Sequence, residues 1–331
     1  MSKTLEKDKS DEQILLDAAA ADAGDTYTYD DYEDGGEDGE AQSRTVVPSA
    51  FLTIWKEVMR DKVALVGVIL FTVIMIGTFV WSFAIDQPTA RRVSLPARNQ
   101  APSAAFPWGT DQSGRSVQTE LVLGARNTIL VAFSVTLVAG LIGMVIGLLS
   151  GFYGGRIDNI VMRCVDTWSM LPGLMLIIVV VSIIPEYSPV NFVLILSAFN
   201  WMATCRMIRA MALQQSNLDF VHASKTLGTR NIIIMLREVL PNLIPVITVN
   251  LTLALAANMG VETTLTFLGY GLPHGTPSLG ALIAHARQPY ALQNRLWQWL
   301  PAAALVFILM LCVFSIGLAL NRASNVRQRR A

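Results

Sequence analysis

The run VALVGVILFTVIMIGTFVWSFAI, residues 63–85, contains no charged side chain and decides the class of fold. As a helix rising 1.5 Å per residue it is about 34 Å long, enough to cross a hydrocarbon core of roughly 30 Å. Hydrophobic residues make up 53% of the 331-residue chain, charged residues make up 15%, and the mean hydropathy is +0.47. This composition is typical of a membrane protein and excludes an ordinary soluble domain.

Five further runs are also uncharged, and they cover residues 128–155, 167–185, 187–205, 239–261 and 296–321. The runs that end at residue 185 and begin at residue 187 lie close together. Pro185-Glu186-Tyr187-Ser188-Pro189 separates them, and two prolines with a charge favour a tight hairpin over one continuous helix. We therefore expect an all-α polytopic membrane protein with six transmembrane helices.

The lysines and arginines predict the orientation of these helices. If the N-terminus is cytoplasmic, 14 of them flank the inner ends of the runs and seven the outer ends, mostly within the 86–127 loop. Because positive residues concentrate on the cytoplasmic side, we expect both termini to be cytoplasmic. The opposite orientation requires translocation of the polar segment 216–240 together with the basic tail, residues 322–331.

The first 62 residues differ from the rest of the chain. Up to Arg44 there are 14 acidic and four basic side chains, which leaves 11 acidic and 21 basic ones in the remainder. Residues 1–45 are predicted to form a disordered acidic cytoplasmic tail, either a solubilising extension or a segment that binds a basic partner. The segment lacks the basic start and apolar core of a signal peptide. Residues 46–62, with Trp55 among Lys56 and Arg60, predict an interfacial helix that leads into the membrane.

The extracytoplasmic loop, residues 86–127, contains one distinctive motif. Its small and polar residues predict a turn that side chains hold by hydrogen bonds to the backbone. The motif residues are Gly109, Thr110, Asp111, Gly114 and Arg115. A phosphate-binding loop is excluded, since Gly-Lys-Ser and Gly-Lys-Thr occur nowhere in the chain.

Several residues inside the apolar runs need an explanation. Glu262 is costly to bury unless it faces a partner or a wet cavity, so either a place in a path or gate, together with Asn258, or a structural hydrogen bond is expected. Asp166 is expected either to form a local ion pair with Arg163, one turn away, or to act at a helix end. Four glycines spaced by three or four residues predict close helix packing or the wall of a path. They are Gly140, Gly143, Gly147 and Gly151.

The cysteines and histidines indicate no disulfide, metal or catalytic site. Cys164, Cys205 and Cys312 lie far apart, with no Cys-x-x-Cys spacing, so neither a disulfide framework nor a metal site is expected. The three histidines are scattered and match no catalytic or metal-ligand spacing. They are His222, His274 and His285.

The segment from Ser216 to Asn242 is the one sizeable polar insert between apolar runs. Ser216 and Asp219 have the spacing of a capping box, and Gly228 is expected to end a first short helix. Asn231 is expected to cap a second helix that enters the fifth span at Leu240-Pro241. Phe220, Ala223 and Leu227 share one helical face. The insert therefore predicts a short helix that lies across the membrane surface and couples to a spanning helix, or alternatively one that rests on lipid.

These residues carry a resemblance. Ala223-Ser224, Gly228 and Leu240-Pro241 resemble the Glu-Ala-Ala loop of ABC importer permeases. Other motifs are similar to the C-type permease subunit of dipeptide and oligopeptide importers, over about residues 50–320. They are Gly109-Thr-Asp-x-x-Gly-Arg115, Gly151-Phe-Tyr-Gly-Gly155 with Asp158, Leu171-Pro172, Phe267-Leu-Gly-Tyr-Gly271 and Pro277-Ser-Leu-Gly280. Three residues depart from the family pattern: His222 replaces its Glu, Ser224 its second Ala, and Glu238 an apolar residue.

The resemblance implies a type I ABC importer permease in the bacterial cytoplasmic membrane. It implies a translocation path shared with a homologous second permease, two cytoplasmic ATPases that use ATP and Mg, and an extracytoplasmic protein that delivers peptide. This chain would be a non-catalytic subunit in contact with lipid, with no cofactor of its own and no nucleic-acid partner. The implied ATPase-docking residues are Phe220, His222, Ala223, Ser224, Leu227 and Gly228.

Other functions remain open from the sequence. Related importers carry nickel chelates or other small solutes, and the chain does not reveal the cargo. A stand-alone secondary transporter or channel would be expected to show inverted repeats or several intramembrane charges. An intramembrane enzyme would need a paired catalytic constellation, which the scattered histidines do not supply.

Overall fold

The computed structural model describes residues 61–86, 92–273 and 275–328, in which every regular element is a helix apart from one β-bridge between Thr110 and Ser116. The α-helices are α1 Lys62–Ala84, α2 Val117–Tyr153, α3 Gly155–Ser169, α4 Gly173–Ile183, α5 Pro189–Ser216, α6 Asp219–Thr226, α7 Asn231–Ile234, α8 Leu240–Leu268, α9 Leu279–Ile283, α10 Pro289–Asn294 and α11 Leu296–Gln328. A π-helix, Met235–Val239, joins α7 to α8, and short 3₁₀ turns cover Leu95–Ala97 and Ala284–Arg287. The chain is thus an all-α membrane protein.

Within the described residues, five helical stretches are long and apolar enough to cross a membrane: α1, α2, α5, the continuous stretch Asn231–Leu268, and α11. The pair α3 and α4 gives a sixth if its two helices, bent by 76° at their junction, are one broken span. The prediction of six spans therefore depends on how this pair is counted.

The third predicted span is not one continuous helix, so that prediction was wrong. The run 167–185 straddles the junction between α3 and α4, and α4 has only 11 residues. Pro172 explains the break, since it has no N–H to donate and its ring disfavours the helical conformation at Leu171. The hairpin predicted at residues 185–189 is confirmed, because α4 ends at Ile183 and α5 begins at Pro189.

The loop predicted at residues 86–127 is shorter than expected, because α2 begins at Val117 and not at residue 128. Charged residues in this stretch suggested a loop, but the fold gives them partners. The Arg126 guanidinium donates to Asn127 Oδ1 from Nε at 3.2 Å and to Ser82 Oγ of α1 at 3.4 Å. Charge therefore marked the boundary of the apolar run and not the start of the helix.

Some predictions fall outside the described part of the chain. The acidic tail, residues 1–45, lies outside it, and so does the lead-in segment up to residue 60. The basic tail is described only as far as Gln328, and α11 continues through that residue.

The close contact between α2 and α5 confirms the prediction of glycine-mediated packing. A Cβ on Gly147 would lie 2.5 Å from the backbone oxygen of Cys205, and Gly143 and Gly151 approach the α5 backbone in the same way. Gly140 instead faces a leucine side chain of α8. Three of the four glycines therefore allow two helix backbones to touch.

Helix α1 packs mainly against α11. A Cβ on Gly67 would lie 2.3 Å from Ser315 Oγ, and near the helix ends Ala64 packs against Ala319. The Arg322 guanidinium donates to Asp61 Oδ2 at 2.8 Å beside these contacts. The first and last described helices thus lie side by side.

Two buried clusters occupy opposite ends of the bundle. One surrounds the polar insert and contains Phe152, Ile208 and Leu243. The other joins α2, α8, α9 and α11 through residues such as Ile129 and Leu282. The first cluster anchors the polar insert, residues 216–242, described below.

Candidate functional site

The polar insert folds as a short helix between two long ones. Two residues separate the end of α5 from the start of α6, which stops at Thr226 and is followed by Gly228 with φ at +81°. The Gly228 N–H donates to the oxygen of Lys225 and the Thr229 N–H to that of Ser224. Because glycine adopts positive φ without a Cβ clash, it ends the helix as predicted.

Two details of the predicted insert were wrong. Ser216 is the last residue of α5, and its hydroxyl donates to the Leu213 oxygen at 2.9 Å, so it forms no capping box with Asp219. Asn231 is the first residue of α7, whose N-cap is Arg230. Ser216 and Asn231 both lie within helices and neither is an N-cap, because α5 extends to Ser216 and α7 already begins at Asn231.

The inner face of α6 is held at three points. Val221 is fully buried in the cluster around Phe152. The Lys225 ammonium lies 5.2 Å from the centre of the Phe152 ring. Ser224 Oγ lies 2.9 Å from each carboxylate oxygen of Glu238, in the π-helix. An eight-residue helix is marginal alone, so these contacts fix it to α2 and to the π-helix.

The outer face of α6 presents apolar residues to the surroundings. Leu227 is 85% exposed and Phe220 is 38% exposed. His222, Ala223 and Gly228 are exposed as well. Of the six predicted docking residues, five lie on this surface, and Ser224 points inward.

An ion pair missed by the sequence analysis supports the same end of the bundle. Asp158 of α3 is buried and is bound by Arg209 of α5, whose Nε donates to Oδ1 at 2.7 Å. Ser150 Oγ of α2 donates to the same oxygen at 2.7 Å. The residues are too far apart in sequence for their spacing to signal the contact; Asp158 stood out only as part of the family-like motif.

The ion pair predicted between Asp166 and Arg163 was wrong. Asp166 instead accepts a hydrogen bond from Arg206 of α5 at 3.0 Å, and both side chains are largely exposed. The bend after α3 leaves Asp166 beside α5, where a tertiary partner replaces the local one. Such an exposed pair contributes little to stability.

The opposite end of the bundle carries the loop motif. Asp111 Oδ1 accepts the N–H of Ser113 at 2.7 Å and the N–H of Arg115 at 2.8 Å, which confirms the predicted turn. Gly114 has φ at +75°, and a Cβ there would lie 1.9 Å from the Ser94 oxygen. The turn therefore needs both the carboxylate and the glycine.

The same motif is fastened to the start of α11. Gln298 is fully buried, and its Nε2 donates to Asn99 Oδ1 and to the Thr110 oxygen, both at 3.0 Å. Gly109 lies against the Trp297 ring, where a Cβ would come within 2.6 Å. These contacts join the loop motif to the start of α11, although Thr110 and Gln298 are 188 residues apart in the sequence. They close one end of the bundle.

Glu262 is fully buried in the last part of α8. Thr266 Oγ1 donates to its carboxylate at 3.0 Å and Thr263 Oγ1 at 3.4 Å. The hydroxyls of Thr128 and Ser278 interact with it as well. Among the described residues, the side chains that hydrogen-bond Glu262 are thus all hydroxyls, and they join α8 to α2 and to the segment before α9.

Asn258, the other path candidate, borders a cleft. Its Nδ2 donates to Thr136 Oγ1 of α2 at 2.9 Å. The cleft, of about 320 Å³, lies between α2, α5 and α8. It adjoins a second cleft of about 460 Å³ towards the α6 end, and both are lined by Asn250 and Leu253.

The lining of the two clefts combines apolar side chains with polar but uncharged ones. No Asp, Glu, Lys or Arg belongs to it in the described part of the chain, whereas carboxamides recur. These are Asn200, Gln214, Gln215, Asn242, Asn250, Asn258 and Asn321. Glu262 belongs to neither cleft.

No metal centre is formed by the residues that the structure describes. Within them, no three His, Cys, Asp or Glu side chains come together in a way that could hold a metal ion. His285 borders a separate cleft at the loop end, of about 350 Å³. Burial lowers the pKa of His285, Asp111 acts in the opposite direction, and Arg287 lowers it further.

Known proteins are similar in sequence to this chain over most of its length. The family model described as "Binding-protein-dependent transport system inner membrane component" matches residues 143–326. The chain is 39% identical over 277 residues to the "Oligopeptide transport system permease protein OppC" of Lactococcus lactis subsp. cremoris (strain SK11), covering 83% of this chain and 94% of the relative.

Two further relatives extend the comparison. The "Dipeptide transport system permease protein DppC" of Bacillus subtilis (strain 168) is 30% identical over 276 residues, covering 83% of this chain and 85% of its own. The "Inner membrane ABC transporter permease protein YejE" of Escherichia coli (strain K12) is 32% identical over 259 residues, covering 78% of this chain and 72% of the relative.

Proposed function

Because this chain belongs to the family of binding-protein-dependent transport system inner membrane components, we propose that it is the permease subunit of an ATP-driven oligopeptide importer. It is a multi-pass protein of the bacterial inner membrane. The observation that carries the proposal is α6, a short exposed helix anchored beside the spanning stretch Asn231–Leu268. The relatives named for oligopeptides and dipeptides favour peptide over nickel chelates or other solutes as cargo.

The proposed topology has six spans with both termini in the cytoplasm. The bent pair α3 and α4 forms the third span, and the distribution of lysine and arginine sets the orientation. This arrangement places α6 in the cytoplasm and the Gly109–Arg115 motif outside. The two ends of the bundle then face different partners.

The proposed complex contains a second, homologous permease and two cytoplasmic ATPases that hydrolyse ATP with Mg. An extracytoplasmic binding protein delivers the peptide to the loop end. This chain takes no part in ATP hydrolysis and holds no cofactor. It contributes part of the translocation path and, through α6, a mechanical connection to the ATPases.

The proposed path follows the two adjoining clefts. A carboxamide offers both a donor and an acceptor, as a peptide bond does, so a row of Asn and Gln can bind a peptide main chain whatever its side chains. Asn258 therefore lines the path in our proposal. Glu262, surrounded by hydroxyls, holds the neighbouring segment in place at the wall of the path, and not in the path itself.

The proposed coupling surface consists of Phe220, His222, Ala223, Leu227 and Gly228. An ATPase that binds this face can shift α6, and the anchors on its inner side transmit that shift to α8. Coupling between two sites requires an element whose position both sites bias, and α6 with α8 forms such an element.

The test replaces an exposed residue, so that folding is left intact. We expect Ala223→Trp to prevent the ATPases from co-purifying with the tagged permease in mild detergent and to abolish uptake of a radiolabelled pentapeptide. The second permease should still co-purify. Gln293→Trp, at an exposed position of α10, is the matched control and should retain the ATPases. Normal ATPase retention by Ala223→Trp would refute docking through α6.

A further inference from the structure

Ser224 and Glu238, two of the three residues that depart from the family-like pattern, contact each other. Ser224 Oγ lies 2.9 Å from both Oε1 and Oε2 of Glu238. The serine has one hydroxyl hydrogen, so the two carboxylate oxygens share it, and the charge on the acceptor strengthens the bond. Each residue alone would leave a half-buried polar group without its partner.

The contact joins two elements with different roles. Ser224 belongs to α6, and Glu238 belongs to the π-helix Met235–Val239, which runs directly into α8. The backbone oxygen of Glu238 accepts a separate hydrogen bond from Asn242 Nδ2, in the first turn of α8, at 3.0 Å. A displacement of α6 therefore reaches the start of the spanning helix through this side-chain pair, in addition to the apolar contacts of Val221.

The pair also fixes the rotation of α6. Val221 and Ser224 are three residues apart and share the inner face of the helix. The apolar contact of Val221 resists separation but has no preferred direction, whereas a hydrogen bond is directional. Without the bond, α6 can roll about Val221, and the exposed residues Phe220, Ala223 and Leu227 then change orientation.

We propose that Ser224 and Glu238 form a latch that sets the orientation of α6 relative to the start of α8, and that both are positioning residues for energy coupling. This role rests on the proposed function, since the motion that it transmits is supplied by an ATPase. The latch itself is a property of this chain and can be measured without the partners.

The first experiment uses this chain alone. A nitroxide is attached to Leu227→Cys, at the exposed end of α6, in a Cys164→Ser background, since Cys164 is exposed and the other cysteines are buried. Threonine and valine have the same shape, but only threonine has a hydroxyl. Electron paramagnetic resonance reports the mobility of the nitroxide. We expect Ser224→Thr to preserve the spectrum and Ser224→Val to increase the mobility of the nitroxide. A nitroxide at Gln293→Cys should not respond to either change.

The second experiment measures coupling in the complete transporter. We expect Ser224→Val and Glu238→Leu each to lower pentapeptide uptake by about three- to tenfold and to raise the ATP hydrolysed per peptide, with the ATPases still bound. Glu238→Gln keeps an acceptor and should lose less. The double variant Ser224→Val/Glu238→Leu should lose no more than either single one, because the removed groups interact with each other.

The two proposals fail in different ways. If Ser224→Val leaves both the nitroxide spectrum and the coupling ratio unchanged, or if the two single losses add in the double variant, the latch is refuted. If Ala223→Trp retains the ATPases, docking through α6 is refuted, whatever the spectrum shows.

Discussion

Arg209 and Asp158 form a two-pronged ion pair that joins α5 to the start of α3, with Arg209 Nε and Nη2 donating to the two carboxylate oxygens of Asp158. Ser150 of α2 adds a third hydrogen bond. The pair lies beside the cluster that holds α6, so α2, α3 and α5 meet there. A nearly buried carboxylate is stable in this place only because its partners satisfy it.

Removal of Arg209 should therefore destabilise the protein. We expect Arg209→Met to cost about 3 kcal/mol of unfolding free energy, since it leaves the Asp158 charge buried without its partner. Arg209→Lys should be intermediate, because an ammonium cannot form the two-pronged contact. Thermal unfolding in detergent measures both. Adding Asp158→Asn to Arg209→Met should recover part of the loss, and a still larger loss would contradict this explanation.

The glycine contact between α2 and α5 gives a second prediction. Gly147→Ala should destabilise by about 1–3 kcal/mol, because its Cβ would lie 2.5 Å from the Cys205 oxygen and the helices must separate. Gly77→Ala in α1 is the control, since nothing lies within 4 Å of its Cβ position. It should leave the melting temperature unchanged or raise it, because alanine favours helix. Equal effects of the two substitutions would exclude close packing as the cause.

Gln298 gives a third prediction, at the loop end. Gln298→Leu should cost about 1–3 kcal/mol, since it leaves the buried Thr110 oxygen and the Asn99 side chain without this donor. Gln293→Leu, at an exposed position of α10, should have little effect. Proteolysis within residues 92–116 should accelerate only in the first variant. Intact resistance to protease would show that the loop does not depend on Gln298.

His285 predicts a dependence of stability on pH. Its pKa in the folded chain is lowered from 6.5 by burial, against the pull of Asp111 and together with Arg287. Below pH 6.5 the unfolded chain therefore binds more protons at this histidine than the folded chain does. The stability that neutral His285 contributes is fully present above pH 6.5 and falls as the pH drops towards the folded pKa.

The measurement compares melting temperatures in detergent across this range. The slope from His285 cannot exceed about 1.4 kcal/mol per pH unit. His285→Gln should lose that slope while keeping its stability near pH 7.5. If the wild type and the variant keep parallel profiles from pH 7.5 to 5, burial does not control this histidine.

The sequence predicted the elements whose signals are local. The uncharged runs located the cores of the spans, Gly228 marked the end of α6, and Asp111 marked a turn that its own carboxylate holds. Residues 117–127 were assigned to a loop because Glu120 and Arg126 are charged, and only the fold shows what surrounds them. The break between α3 and α4 had a local signal in Pro172, but the length of the apolar run concealed it.

Contacts between distant residues could not be predicted. Arg163 was the nearest basic residue to Asp166 in the sequence, yet the bend after α3 brings Arg206 to it. The contact of Ser224 with Glu238 depends on how α6 folds back onto the π-helix, which no periodicity specifies. For the same reason, both Glu262 and Asn258 were candidates for the path, although of the two only Asn258 lines one of the two adjoining clefts.

The contact between α1 and α11 has a consequence for biogenesis. Helix α1 leaves the ribosome before the other described helices, and the face containing Ala64 and Gly67 meets its partner only when α11 has been synthesised. Until then, lipid or an insertion chaperone must cover that face, and the Asp61 carboxylate lacks the arginine that pairs with it. The arrival of α11 is therefore the step that covers this face of α1, and a nascent chain that stops before residue 296 leaves the face without its partner helix.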